Sequence, residues 1–448
     1  MLPKKINIWY SSSAIISLIV AIPIMTVFFS FFENTSNYQV VLKNTFLTEY
    51  ILNSGVLLIG VLFFTFIIGT GTAYIVSFYK FPGVNFFKWA LILSFAVPPY
   101  IYAYSLVAFF ENYGTAFTIL KALLGEGAYN KSIPKFDGMV GAILSISFSL
   151  FGYVYILTRA SFFYQSQNLI EIGRSLGFSK IKSLFSIILP SARPAIIAGL
   201  SLVAMETLSD FGAVSFFGIN TITTGIYDSW IGFDDLAFAN QLSFYLLIFI
   251  LALFILENYS RKKAKYHIPM KGGFKKKEKL NLNRIKSFLA FITCFVIFFL
   301  SFIFPLSQMF YWTLIFPDNF YNLNILELLF NTIYLVVISS LVLIIFSFIS
   351  NYGNRISNSK FLNLLTTFSV SGYAIPGVIL AVAFITFIAW FDNNIISYFD
   401  FNSIKSFFIG SILGLVIVYF IRFYSLACNG IKSGYEKINR SIDESAYL

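Results

Sequence analysis

Two carboxylates, Glu206 and Asp210, stand four residues apart inside a long apolar run, so a helix there puts both on one face. A carboxylate near the centre of a bilayer costs about 2.5–3.5 kcal/mol on insertion scales, and such residues usually face a bundle interior or a watery path. Oxygen ligands of this kind suit a hard cation. Hydrogen bonding between helices, or a place near the interface, accounts for the pair equally well. Downstream, Tyr227, Asp228 and Trp230 sit with Asp234 and Asp235 in a segment free of lysine and arginine. They suit contact with a protein docked from outside, or an aromatic belt flanked by solvated acids. The single histidine, His267, excludes a histidine metal cluster, and Cys294 and Cys428 are too isolated for a disulfide framework or a metal site.

The elements that must position these groups are membrane helices. Of 448 residues, 58% are apolar and only 11% charged, and the mean hydropathy is +0.80. A soluble domain needs about a quarter of its residues charged, so lipid must be the main solvent. A helix crosses the hydrocarbon core with about 20 apolar residues. Ten runs qualify, near 10–32, 51–79, 89–110, 138–158, 194–217, 241–259, 287–313, 329–350, 363–391 and 407–426. The runs are continuous rather than alternating, which excludes barrel strands. The first run is too long for a cleaved signal peptide.

With the N-terminus in the cytoplasm, 26 of the 31 lysines and arginines fall on the cytoplasmic side, Arg422 counted among them. That asymmetry obeys the positive-inside rule and accounts for the net charge of +11 without nucleic acid. Eleven of those cations lie in 261–286, a basic, lipid-facing linker.

The linker separates two similar halves. Asn53-Ser54 opens the second span and Asn331-Thr332 the eighth; Pro98 and Pro376 each follow forty-five residues later, inside apolar runs. Tyr74 and Tyr352 share the same offset. A proline there frees a backbone carbonyl and permits a kink. The halves enter from the same side, which makes them parallel repeats about an axis along the membrane normal.

Between the fourth and fifth spans the chain reads NLIEIGRSLGFSKIKSLFSIILPSARPAI. A short helix carries Ile172 and Leu176 on one face, and Gly177 is free to turn left-handed. A second helix carries Ile181, Leu184, Phe185 and Ile188 at helical spacing, and Pro190 is expected to stop it. The product is a helix–turn–helix plug with an apolar face and a charged rim, suited to a groove on a partner.

This segment resembles the EAA loop of binding-protein-dependent ABC import permeases. Glu171, Ile172 and Gly173 stand where that pattern has Glu-Ala-Ala, Gly177 where it has glycine, and Ile187 to Pro190 where it ends in I-x-L-P. Ile172 and Gly173 depart from the alanines. The resemblance implies that Glu171, Ile172, Gly173, Gly177, Leu189 and Pro190 couple the membrane helices to a separate pair of ABC ATPase subunits, a homodimer. The chain has no G-x-x-x-x-G-K-[ST] sequence, so ATP is expected on the partner and no cofactor on this chain. In the second half Glu444, Ser445 and Ala446 match the start of the same triplet. The matching glycine and two further spans are absent, so the second repeat is expected to be incomplete, a fragment or a naturally short product.

The run Met205 to Leu208, Asp210 to Gly212, Asn220-Thr221 and Tyr227 to Trp230 is similar to fused, two-domain permeases that import ferric iron. Thiamine and aminoethylphosphonate importers share that architecture. The resemblance implies an all-α polytopic protein with two MetI-like type I importer repeats. The first permease domain covers 1–259, with its core at 49–259; a basic linker follows at 260–286; the second domain, 287–448, has four spans. It also implies an inner-membrane permease subunit rather than an enzyme, receiving ferric iron from a solute-binding protein. An ion-coupled secondary transporter would need coupling-ion sites and no ATPase, and the loop spacing argues against it. A membrane-embedded enzyme would need convergent catalytic groups, which the composition does not supply.

Overall fold

The computed structural model describes residues 8–32, 47–124, 136–263, 279–317, 324–357, 359–370, 375–391, 393–394, 408 and 410–435. Glu444, Ser445 and Ala446 lie outside them. The described chain is helical apart from one short parallel pairing of β1 (Tyr79–Lys80) with β2 (Leu280–Asn281). Continuous apolar runs dictate this outcome, because a lipid-exposed backbone must satisfy its own hydrogen bonds.

In chain order the helices are α1 (Ile8–Ser30), α2 (Leu47–Phe78), α3 (Val84–Ala90, extended by a 3-10 turn at Leu91–Ala96), α4 (Pro99–Phe110), α5 (Thr115–Leu124) and α6 (Gly138–Ser175). Next come α7 (Lys180–Ser183, then a π turn at Leu184–Ile188), α8 (Leu189–Ser209), α9 (Gly212–Phe216), α10 (Ile222–Tyr227, then a π turn at Asp228–Gly232) and α11 (Leu236–Lys263). The rest are α12 (Arg284–Phe298), α13 (Phe304–Ile315), α14 (Ile325–Ser357), α15 (Lys360–Val370), α16 (Gly377–Phe391) and α17 (Ile412–Tyr435), with a π turn at Phe299–Ile303 joining α12 to α13.

Seven helices among the described residues are long and apolar enough to span a membrane, eight if one bent pair counts as a span. The bent pair is the expected third span: Val84–Ala96 and Pro99–Leu123 meet at 91°, with Pro98 at the break. The first expected span is α1, which runs through Pro23 to Ser30, and the ninth is represented by α16, directly after Pro376. Leu47 of α2 and Ile325 of α14 share an offset of 278 residues with Pro99 of α4 and Gly377 of α16.

The compact units do not follow the linear halves. One unit gathers 43–224 and 252–318. Its centre is α6, packed by α2, α4 and α8, while α12 and α13 lie against α3 and α4. Val154 of α6 sits where Gly69 and Gly199 bring their helices closest; a Cβ at Gly199 would lie 2.8 Å from the Val154 Cα. Such small-residue contacts let helices in lipid gain packing that hydrophobicity cannot supply. The other unit gathers 1–42, 225–251 and 319–448. There α1 packs against α14, α15 and α16, and Thr26 Oγ1 donates to the Ala383 carbonyl at 3.2 Å. Thus the first span of each linear half is packed in the unit built from the other half's core.

Candidate functional site: a coupling loop and an anchored outer loop

The loop after α6 is closed by a Schellman turn. Gly177 has φ +69°, and the Phe178 N–H donates to the Gly173 carbonyl at 2.9 Å. The left-handed residue at this place ends α6 and satisfies one of its last carbonyls. Ser179 then starts the next helix: its Oγ accepts the Lys182 N–H at 3.2 Å, a serine N-cap.

Gly173 has a separate reason. A Cβ there would collide with the Ser183 side chain, lying 2.9 Å from its Cβ, so the end of α6 and α7 approach closer than alanine allows. The departure from the alanine of the EAA pattern is therefore a packing feature. The side chains of Glu171 and Ile172 lie outside the described residues; their backbone is the last part of α6.

Pro190 does not stop the second helix, contrary to the sequence expectation. Lys180 onward runs into α8, so the fifth span is Ile181–Ser209 rather than 194–217. The physical reason is the π turn: the Leu189 N–H bonds back to the Leu184 carbonyl, and this widened turn relieves the clash a proline ring makes with the carbonyl four residues earlier. The loop is therefore rigidly continuous with a transmembrane helix.

The apolar stripe divides in two. Ile188 is buried and Leu184 packs on the same core, which includes Tyr155, Phe162 and Ala192. Leu176, Ile181 and Phe185 are exposed, at 58%, 71% and 65%. Lys182 lies over the Phe178 ring at 4.3 Å. The result is an apolar knob beside a cation, on a short helix anchored from behind.

Asp210 ends α8 and caps α9: its Oδ1 accepts the Ala213 and Val214 N–H groups at 3.0 and 3.1 Å. Glu206 lies one turn earlier, half-buried. The segment after α9 is sewn to the start of α2. Asn53 Nδ2 donates to the Asn220 carbonyl at 2.9 Å, Asn220 Nδ2 donates to Glu49 at 3.0 Å, and the Ile222 N–H donates to Ser54 Oγ at 3.1 Å. Thr223 Oγ1 returns to the Asp210 carbonyl at 2.9 Å. The sequence marked Asn53-Ser54 and Asn220-Thr221 separately; nothing in their spacing linked them. Tyr227 is exposed and edge-on to Trp230, and burial pushes the Asp228 carboxyl above its usual range. Asp235 caps α11 through the Phe238 N–H at 2.9 Å. Among the described residues no three histidines, cysteines or acids gather as a metal site.

Arg422 was missed as a site residue. Counted by sequence with the cytoplasmic charges, it is the middle residue of the helical stretch Ile412–Lys432, and its Nη1 donates to the Ile375 carbonyl. The signal was its position within an apolar run.

Residues 66–265 match the family described as the binding-protein-dependent transport system inner membrane component. A membrane component of that description is non-catalytic and binds no cofactor of its own. The matched segment takes in α6, the loop and α8. Over 405 residues, 89% of this chain and 72% of the relative, the sequence is 22% identical to the Fe(3+)-transport system permease protein FbpB 2 of Haemophilus influenzae. It is 25% identical over 162 residues to the sulfate transport system permease protein CysT of Salmonella typhimurium, which is 35% of this chain and 54% of that protein. It is 26% identical over 196 residues to the putative 2-aminoethylphosphonate transport system permease protein PhnU of Salmonella paratyphi A, 42% of this chain and 66% of that protein.

Proposed function

We propose that this chain is the permease of an importer that moves ferric iron from a solute-binding protein into the cytoplasm, driven by a separate ABC ATPase homodimer. The observation that carries the ferric reading is extent: similarity to the ferric permease runs through both halves, whereas similarity to the sulfate and phosphonate permeases covers at most 42% of the chain. In this reading the N-terminus and the basic linker are cytoplasmic. The knob of Leu176, Ile181 and Phe185 enters a cleft on the ATPase. Closure of the ATPase pair pushes on α7, and because α7 continues through Pro190 into α8, the push reaches the membrane core directly. Glu171, Gly173, Gly177 and Leu189 hold the geometry of that lever. Tyr227, Asp228 and Trp230 face the binding protein. Glu206 lies along the cargo path, while Asp210 serves its helix cap.

The test is uptake of radiolabelled ferric iron by iron-starved cells with and without the gene, with sulfate, thiamine and 2-aminoethylphosphonate measured in parallel. Loss of iron uptake alone supports the ferric reading. Unchanged iron uptake with loss of another solute keeps the permease and replaces its cargo.

A further inference from the structure

In each half a helix starts directly after a proline, α4 after Pro98 and α16 after Pro376, and the residues there are held differently. In the ninth span α15 ends at Val370 and α16 starts at Gly377, after Ile375 and Pro376. The guanidinium of Arg422 reaches this break from α17 and donates to the Ile375 carbonyl. Arg422 is the eleventh residue of the 21-residue span Ile412–Lys432. At 1.5 Å per residue it stands roughly 15 Å from either end of that helix. Its side chain is turned to the break. Among the described residues the Ile375 carbonyl is its one hydrogen-bond partner, and no carboxylate pairs with it.

A carbonyl at a break does not by itself require this cation. The third span breaks at Val97–Pro98, and the facing helix α6 carries no lysine or arginine before Arg159. That break is closed by packing, with Tyr102 stacked on Phe148 at 5.7 Å and Phe304 tilted against it at 6.2 Å. A charged side chain in mid-membrane is tolerated where it meets water or cargo, and non-helical backbone at that depth is tolerated only inside protein or beside a wet cavity. Arg422 is only half-buried, with five donors in a planar fork.

We propose that Arg422, at the break of the ninth span, is a cargo contact selective for an anionic oxygen group, so that the species passing this permease carries negative charge. Building on the importer reading, this narrows the cargo class. Ferric iron would then pass as an anionic oxygen chelate rather than as a bare trivalent cation. A planar fork with two adjacent N–H groups matches carboxylate or phosphate oxygens bidentately, which an ammonium does not.

The test has two arms. In proteoliposomes holding this permease with its ATPase and binding protein, ferric citrate uptake is compared between wild type, Arg422→Lys and Arg422→Gln, each matched for amount of folded permease. The expected result is a drop of about tenfold or more for R422Q, with R422K intermediate. R422Q at the wild-type rate overturns the proposal. If wild type moves sulfate or 2-aminoethylphosphonate but no ferric citrate, the ferric reading fails, and the same comparison on the transported anion decides the proposal.

The second arm needs no transport. A Cβ at Gly377 would lie 4.0 Å from Arg422 Nη1, so Gly377→Cys places a thiol beside the guanidinium without a clash. In a background lacking Cys294 and Cys428, its labelling by an anionic and a cationic methanethiosulfonate reagent is measured with and without R422Q. The anionic-to-cationic rate ratio is expected to fall about tenfold when the charge is removed. An unchanged ratio, or no labelling by either reagent, overturns the proposal.

Discussion

Pro98, in the third span, and Pro376, in the ninth, each directly precede a helix, and the chain around them is held in two ways. The third is held by packing: Val97, Tyr102 and Leu106 are buried at its break, together with Phe304. The ninth is held at its free carbonyl by Arg422. A break closed by aromatic packing is a structural joint, whereas one faced by a guanidinium keeps a cation at the break. A second contrast runs alongside. Asn53 and Ser54 of the first half grip the loop at 220–222, while their repeat counterparts Asn331 and Thr332 are exposed.

The contrast breaks most sharply if the first joint does not depend on packing. Tyr102→Ala removes a buried aromatic, and truncations of this size cost about 3–5 kcal/mol. We expect a large loss of thermal stability in detergent, whereas Arg422→Gln shifts transport more than melting temperature. Equal melting temperatures for Y102A and wild type would dissolve the distinction.

A smaller effect is expected at the coupling loop, which the second half lacks among its described residues. Gly173→Leu overpacks the contact with Ser183, a class of change costing about 1–3 kcal/mol. ATP hydrolysis should persist with transport lost, and adding Ser183→Gly should restore part of it. No rescue by the second change would place the role of Gly173 elsewhere.

Asp210→Ala should cost about 1 kcal/mol by removing a helix cap. Asp210→Asn keeps an acceptor and should cost less, with transport largely retained. Transport abolished by D210N at unchanged stability would make Asp210 a pathway acid instead.

The smallest effect concerns the end of the linker. Lys279 donates to the Val76 carbonyl, and burial, with Lys88 and Arg159 nearby, pushes its ammonium down to about 8. The unfolded chain then binds more protons than the folded one above that value, so stability should rise with pH from about 8 towards the ordinary lysine range. Thermal melts across that window should slope upward in wild type and less so in Lys279→Met. Parallel slopes would remove Lys279 from the account.

Much of this was legible in sequence because lipid leaves few choices. Apolar length marked most of the spans, Gly177 marked the turn, and Pro98 marked the bend of the third span. What stayed hidden depended on contacts distant in the chain. The role of Gly173 needed Ser183 across the turn, and the pairing of Asn53 with Asn220 needed the fold. Pro190 misled because a π turn is not visible as a pattern of residue types. The contact of Arg422 with the Ile375 carbonyl likewise needed the fold.

The central claim is that an ATPase drives this permease through the loop at 171–190. The direct measurement is ferric uptake into proteoliposomes holding the permease and its ATPase, with binding protein outside, ATP present or absent inside, and Phe185→Asp as the loop variant. The account predicts uptake that requires ATP and binding protein and is lost in F185D. Uptake driven by an ion gradient without ATP, or uptake undiminished in F185D, would contradict it.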